Sequence, residues 1–360
     1  MKIVIDARFT RTDHHDGISR YGSSLIAATS KIADVTMLIS DKRQLALLPD
    51  VPYVMVNSPL SPMELFVARK VNPLGADVVV CPMQTMGTLG RKYGLILTLH
   101  DLIYYEHPAP PGFLPAPIRL LWRLYHKAFW PQRLLLNRAD IVATISRTTE
   151  ALMAKYALTK RPVRIVGNAP QPGQKPRDPE AGADKSLLYM GSFMPYKNVE
   201  TMIRGMSELP GYSLHLLSRI TPQRKAELEA LVPDGAKVVF HNGVSDAEYD
   251  ELLLRATALI SLSRAEGYGL PLVEAMALGT PVIASDTPIF REVGGDAVSY
   301  VHPESPSEFA AAVSALGAPD LWRERSRTSV ERAAKFNWDE SARQLLSAAE
   351  EVVAQRRPKA

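Results

Sequence analysis

Two glutamates, Glu266 and Glu274, flank a glycine-rich break in "RAEGYGLPLVEAMALGTPVIASD", residues 264–286. The apolar run "ALISLS" (258–263) ends just before them. Gly267 and Gly269 allow a sharp turn and let a ligand approach bare backbone. Pro271 suits the start of a helix, where its missing N–H costs nothing, and Gly279 suits the stop. The unsatisfied N–H groups at such a helix start welcome a phosphate. A carboxylate does not share that phosphate, because like charges repel. The two glutamates are therefore expected to accept hydrogen bonds from neutral hydroxyls. Glu274 would hold ribose hydroxyls and Glu266 a second set beyond a diphosphate. A sugar joined through a diphosphate to a nucleoside has hydroxyls at both ends and charge in the middle. A glycosidase acid and nucleophile pair is the competing use of two carboxylates, but it leaves the phosphate-friendly backbone without a purpose.

Other residues extend the same chemistry. Lys197 follows an apolar run and a Pro-Tyr turn in "YMGSFMPYKNVETMIRGM" (189–206), which puts a cation at a strand end. His100 follows "LILTL", and Gly17 opens the helical run of "DGISRYGSSLI" (16–26). "DHHD" (13–16) reads as a polar loop, because four adjacent residues rarely converge on one ion. No Asp-x-Asp occurs in the chain, so no metal site is expected, and diphosphate charge should fall to Lys197 and helix N-termini. No cofactor is expected beyond the sugar nucleotide itself as donor substrate.

These residues need parallel strands to carry them. Apolar runs at 2–6, 35–39, 77–81, 95–99, 140–144 and 163–166 alternate with helical patterns. A second series at 186–190, 213–217, 237–240, 258–262, 281–284 and 297–301 alternates with helices near 198–208, 222–231, 245–255 and 271–278. Short runs buried on both faces and spaced by helices predict α/β doubly wound parallel sheets. Between the two series lies "PQPGQKPRDPEAGAD" (170–184), with four prolines and no large apolar residue. The expected organisation is a Rossmann-like domain over 1–170, a linker over 171–184 and a second Rossmann-like domain over 185–337. A last helix, about 338–360, would pack back onto the first domain. Ligands in such sheets sit beyond the carboxyl ends of the strands, here expected to face a central cleft.

Composition sets outer bounds. With 360 residues, 46% hydrophobic and 22% charged, the chain suits two soluble globular domains and excludes wholesale disorder. No run of about 18 apolar residues is present, and "MKIVIDARF" reads as a strand rather than a signal peptide. The single cysteine, Cys81, fits a reducing compartment. A cytoplasmic location is expected. Residues 1–180 carry 23 Lys and Arg against 14 Asp and Glu, and the remainder 19 against 24. The basic half suggests an anionic partner. Residues 107–139 contain no acid but hold Arg119, Arg123, Lys127, Arg133 and Arg138 among Trp122, Tyr125, Phe129, Trp130 and leucines. That mixture suits peripheral contact of 113–138 with an anionic membrane, and a solvated basic helix face is the alternative. No nucleic-acid module is recognised.

The Glu266–Glu274 string resembles the E-x7-E signature of retaining glycosyltransferases with the GT-B fold, in the large group 1 family usually called family 4. The resemblance extends through "YMGSFMPYKNVETMIRGM", "VVFHNGVSDAEYDELLLRA" (238–256), "DGISRYGSSLI", "LTLHDLIYYEHP" (97–108), "ATISRTTEALMAKY" (143–156) and "FNWDESARQLL" (336–346). It implies catalytic roles for His100, Glu266 and Lys197, with His100 beside the reacting sugar and Lys197 on the diphosphate. It implies a donor-binding set of Gly17, Ser192, Lys197, Val244, Gly267, Tyr268, Gly269, Leu270 and Glu274. Family members commonly carry an arginine where this chain has Ser192 or Tyr196, so Arg20, Arg219 and Arg264 become candidate substitutes. The opening "IDARFT…DGISRYG" resembles bacterial mannosyltransferases of surface polysaccharide assembly. The implied reaction is transfer of a hexose, with mannose from GDP-mannose as first choice, to a glycan or polyprenyl-diphosphate-linked acceptor. A nucleotide-sugar epimerase and an inactive donor-binding subunit are the alternatives on the same architecture.

Overall fold

The computed structural model describes residues 1–110 and 116–357. The chain divides into two compact units, Met1–Asn168 with Asn337–Ala360, and Ala169–Phe336. Both are α/β units built on parallel sheets.

The first unit has seven strands: β1 Lys2–Asp6, β2 Asp34–Ile39, β3 Tyr53–Met55, β4 Val78–Cys81, β5 Gly94–Leu99, β6 Ile141–Thr144 and β7 Val163–Ile165. Their order is β3-β2-β1-β4-β5-β6-β7, so the strand sequence reverses between β1 and β4. Every residue of β4 and β5 is buried, as expected for central parallel strands covered on both faces. β3 has no counterpart among the apolar runs of the sequence. It is a three-residue edge strand with two of its three residues exposed, and so carries no continuous apolar signal.

Helix Gly17–Thr29 follows β1 and is capped by Asp16, whose side chain accepts from Ser19 N at 2.9 Å. Helix Trp338–Arg356 belongs to this unit and packs on helix Gly17–Thr29. It lies so close to β5 that a Cβ on Gly94 would come within 2.2 Å of Val352 Cγ1. Arg164 and Glu351 join it to β7 at 2.8 Å.

The second unit has six strands: β8 Asp184–Tyr189, β9 Ser213–Leu216, β10 Lys237–Phe240, β11 Ala256–Ser261, β12 Val282–Ser285 and β13 Val298–Val301. Their order is β10-β9-β8-β11-β12-β13, which reverses between β8 and β11. The core on one face is formed by Leu187, Tyr189, Ile203, Leu214, Ile260, Phe309 and Trp322.

The proline-rich stretch behaves differently from a free spacer. Arg177 N donates to Leu278 O at 3.0 Å, Arg177 Nη1 donates to Ala256 O at 2.8 Å, and the guanidinium lies 4.5 Å over the Trp322 ring. Gln174 Nε2 also donates to Asp250 at 2.9 Å, and Glu180 pairs with Arg323 and Arg327, so a largely exposed segment is anchored to the second unit at several points. Among the described residues no helix is long and apolar enough to cross a membrane. Of the expected membrane segment 113–138, residues 113–115 lie outside the described residues. The remainder forms helices Ala116–Tyr125 and Trp130–Leu136.

Candidate functional site

In the second unit, β8 and β11 are neighbours on either side of the switch in strand order, where parallel sheets hold their ligands. Their carboxyl ends carry the loops that contain Lys197 and Glu266. Pro195 starts a 3-10 turn, Pro195–Lys197, that lifts Lys197 off β8. Lys197 Nζ donates to Glu266 Oε1 at 2.5 Å, and Ser263 Oγ donates to the same oxygen at 2.7 Å. The Lys197 and Glu266 side chains are 14% and 13% exposed, and Ser263 is fully buried. Burial strengthens both bonds relative to water and fixes one carboxylate oxygen, leaving Oε2 for another donor.

A second set of contacts holds the two loops together. Arg264 N donates to Tyr196 O at 2.8 Å, Arg264 Nη1 to Pro195 O at 2.7 Å and Arg264 Nη2 to Asn198 Oδ1 at 2.9 Å. Glu304 receives the other edge of the guanidinium at 2.5 and 2.8 Å. The hydrogen bond from Arg264 holds the Glu304 carboxyl below its usual range. Asn198 is buried in a left-handed conformation, φ +56°, and its Nδ2 donates to Leu262 O at 3.1 Å and Pro303 O at 2.6 Å. Arg264 therefore braces the loop that carries Lys197, with its guanidinium paired to Glu304. Arg219 is exposed beside Gly243, and Arg20 lies in the first unit.

Gly269 explains the glycine break. Its φ is +91°, and a Cβ there would meet Phe290 Cε1 at 2.8 Å. Helix Leu270–Ala277 begins on it with no side-chain cap, and Pro271 takes the second helical position rather than the first. Gly267 and Tyr268 are buried, and Tyr268 packs edge-on to Phe336 at 6.3 Å between centroids. Burial pushes the Tyr268 phenol up. Glu274 is 7% exposed in the helix, so the two glutamates occupy different settings, one on the loop and one inside the helix. Leu270 is half-buried, Ser192 is exposed, and its carbonyl accepts from Tyr189 Oη at 2.6 Å. Val244 follows the edge strand β10, two strands from β8, and precedes the Ser245 capping box.

The first unit holds the other two expected residues. His100 follows β5, and its Nε2 lies 2.7 Å from Pro82 O beyond β4. A carbonyl only accepts, so Nε2 carries the proton and Nδ1 is left as the acceptor of the neutral ring. His100 O accepts from Thr149 Oγ1 at 3.1 Å, and Tyr21 meets the ring edge-on at 5.0 Å. Burial lowers the imidazole pKa, opposed by the Pro82 carbonyl and the charge of Asp16, the residue before Gly17. Gly17 and His100 therefore share the carboxyl end of this sheet.

Three residues escaped the sequence reading. Ser263 shares Glu266 with Lys197, Asn198 locks the lysine loop, and Tyr21 packs both His100 and Trp338. A serine closing the apolar run "ALISLS" was the available signal for Ser263.

Two α/β units, each on a parallel sheet, make up the GT-B fold of glycosyltransferases. The family described as glycosyl transferases group 1 matches residues 171–335, so the second unit is a glycosyltransferase group 1 domain. The chain is 26% identical over 321 residues to the O-antigen chain mannosyltransferase RfbU of Salmonella typhimurium, covering 82% of this chain and 86% of that one. It is 36% identical over 110 residues to the serotype-specific mannosyltransferase WbdA of Escherichia coli, which is 31% of this chain and 13% of that protein's length. Among solved structures, Anabaena HepE in complex with UDP-glucose aligns with a TM-score of 0.70 at 16% identity, over 98% of this chain and 100% of that one. At that identity the likeness speaks for the fold.

Proposed function

We propose that this protein is a retaining glycosyltransferase that moves mannose from GDP-mannose onto a lipid-linked saccharide in bacterial surface polysaccharide synthesis. The observation that carries the reading is the convergence of Lys197 and Ser263 on one Glu266 oxygen, beside a helix start left uncapped by Gly269. The Lys197 ammonium, which has three N–H donors, takes the diphosphate oxygens while Glu266 turns its acceptors to the hydroxyls of the sugar. As the glycosidic bond breaks, charge grows on the diphosphate, and Lys197 with the loop amides stabilises it without a metal ion. Glu274 serves the ribose hydroxyls, and His100, neutral and held by Pro82, serves the sugar. The name of the Salmonella relative supports mannose, and the UDP-glucose complex of the Anabaena protein supports a nucleoside diphosphate sugar.

A thermal-shift panel of GDP, UDP and dTDP with their sugars tests the donor. Stabilisation by GDP and GDP-mannose above the others is expected, and a preference for UDP or dTDP would reassign it. The anomeric configuration of the product, read by NMR, tests retention. A second reading, a donor-binding subunit without transfer, is favoured by the commitment of Arg264 to Glu304. Donor turnover by the purified protein excludes it.

A further inference from the structure

Helix Ala116–Tyr125 has no buried residue. Pro117, Leu120, Leu121 and Leu124 follow the i, i+3, i+4, i+7 spacing of one helical stripe, yet all four are exposed. Leu120, Leu121 and Leu124 are 58%, 65% and 53% exposed, and Trp130 and Leu134 on the next helix are 65% and 53% exposed. The aromatic residues of the segment divide between the two sides. Trp122 turns inward and meets Tyr104 edge-on at 4.9 Å. Phe129 stacks on Tyr105 at 4.4 Å and on Tyr156 at 4.5 Å. The inner face of this helix is therefore fastened by aromatic packing, and its outer face is aliphatic.

Arg123 and Lys127 are exposed along one flank of the leucine stripe. No Asp or Glu occurs from 107 to 139. Arg133 spends its donors on carbonyls, Tyr156 O at 2.7 Å and Ala157 O at 3.1 Å, and so keeps its charge uncompensated by those contacts. An aliphatic stripe rimmed by cations matches an anionic bilayer, whose acyl region takes the leucines while its headgroup phosphates take the cations. An indole at the boundary suits the headgroup level.

We propose that helix Ala116–Tyr125 lies in the surface of an anionic bilayer, inserting Leu120, Leu121 and Leu124, with Trp130 at headgroup depth and Arg123 and Lys127 on lipid phosphates. The inference stands on the surface of the first unit and does not depend on the donor assignment.

The test is flotation of the full chain with vesicles of phosphatidylglycerol and phosphatidylcholine, against vesicles of phosphatidylcholine alone. The protein should float with the anionic vesicles in low salt and remain behind with the neutral ones. Leu120→Asp with Leu124→Asp should lower partitioning by about ten-fold or more. Arg123→Glu with Lys127→Glu should lower it and flatten its salt dependence. All four side chains are exposed, so unfolding temperature and turnover of soluble donor should not change; that control separates loss of docking from loss of the enzyme. Wild-type protein left behind by anionic vesicles, or leucine variants that float like wild type, would overturn the proposal. So would a dimer in lipid-free solution that Leu120→Asp converts to monomer, since the face would then belong to a second copy.

Discussion

Lys197 and Glu266 stand 69 positions apart in the chain, yet Nζ and Oε1 are 2.5 Å apart at the ends of adjacent strands β8 and β11. The cation proposed for the diphosphate and the carboxylate proposed for the sugar hydroxyls thus form one ion pair. On the proposed function, donor binding would repartition that pair, with the diphosphate taking Lys197 while Glu266 turns to the sugar.

Lys197→Ala removes the one side-chain charge that the proposed function sets against the departing diphosphate. Turnover of donor should fall by about 10²- to 10³-fold, with far-ultraviolet dichroism unchanged. A steady-state assay at saturating donor measures it.

Ser263→Ala deletes the second donor to Glu266 Oε1 and leaves the lysine in place. Loss of a hydrogen bond to a charged group should lower kcat/KM by about ten-fold. Ser263→Thr, which keeps the hydroxyl, should recover part of the loss, whereas a merely structural serine would show a stability change without that pattern.

Arg264→Ala unfastens the 195–198 turn from Glu304. The guanidinium is partly exposed, so the stability cost should stay within about 1 kcal/mol. The effect belongs in donor affinity, as a raised KM, because the lysine loses its fixed approach while its charge remains.

Gly269→Ala places a Cβ 2.8 Å from Phe290 Cε1 on a backbone at φ +91°. Strain of about 1–3 kcal/mol is expected. Thermal unfolding of the variant should begin at lower temperature, and donor should stabilise it less than it stabilises wild type.

Burial holds the His100 imidazole below its usual value of 6.5. The unfolded chain therefore binds the proton first as pH falls through 6.5, and the contribution from neutral His100 is complete above that value and declines below it. His100→Gln should lose less unfolding temperature on acidification than wild type. His126 and His215 are also lowered by burial, so the variant keeps a residual slope.

The sheets were legible because central parallel strands such as Val78–Cys81 are continuous apolar runs, and edge strand Tyr53–Met55 was not, because most of its side chains meet solvent. Glycine placement was readable too, since the left-handed turn at Gly269 excludes a side chain. The partner of Glu266 was not. It depends on β11 lying beside β8, with β9 and β10 on the far side, a fact of topology that no local spacing encodes. Arg264 read as a spare cation because its carboxylate partner, Glu304, lies 40 positions away. The basic helix was visible as composition, but which of its apolar residues face outward followed only from the packing of Trp122 and Phe129.

A crystal structure with GDP-mannose bound would show directly which groups meet the diphosphate. Diphosphate oxygens are expected within hydrogen-bond reach of Lys197 Nζ and the amides around Gly269, with Glu266 on a hydroxyl of the sugar. A diphosphate bound away from Lys197, with the Lys197–Glu266 pair left intact, would rule out the proposed role of both residues.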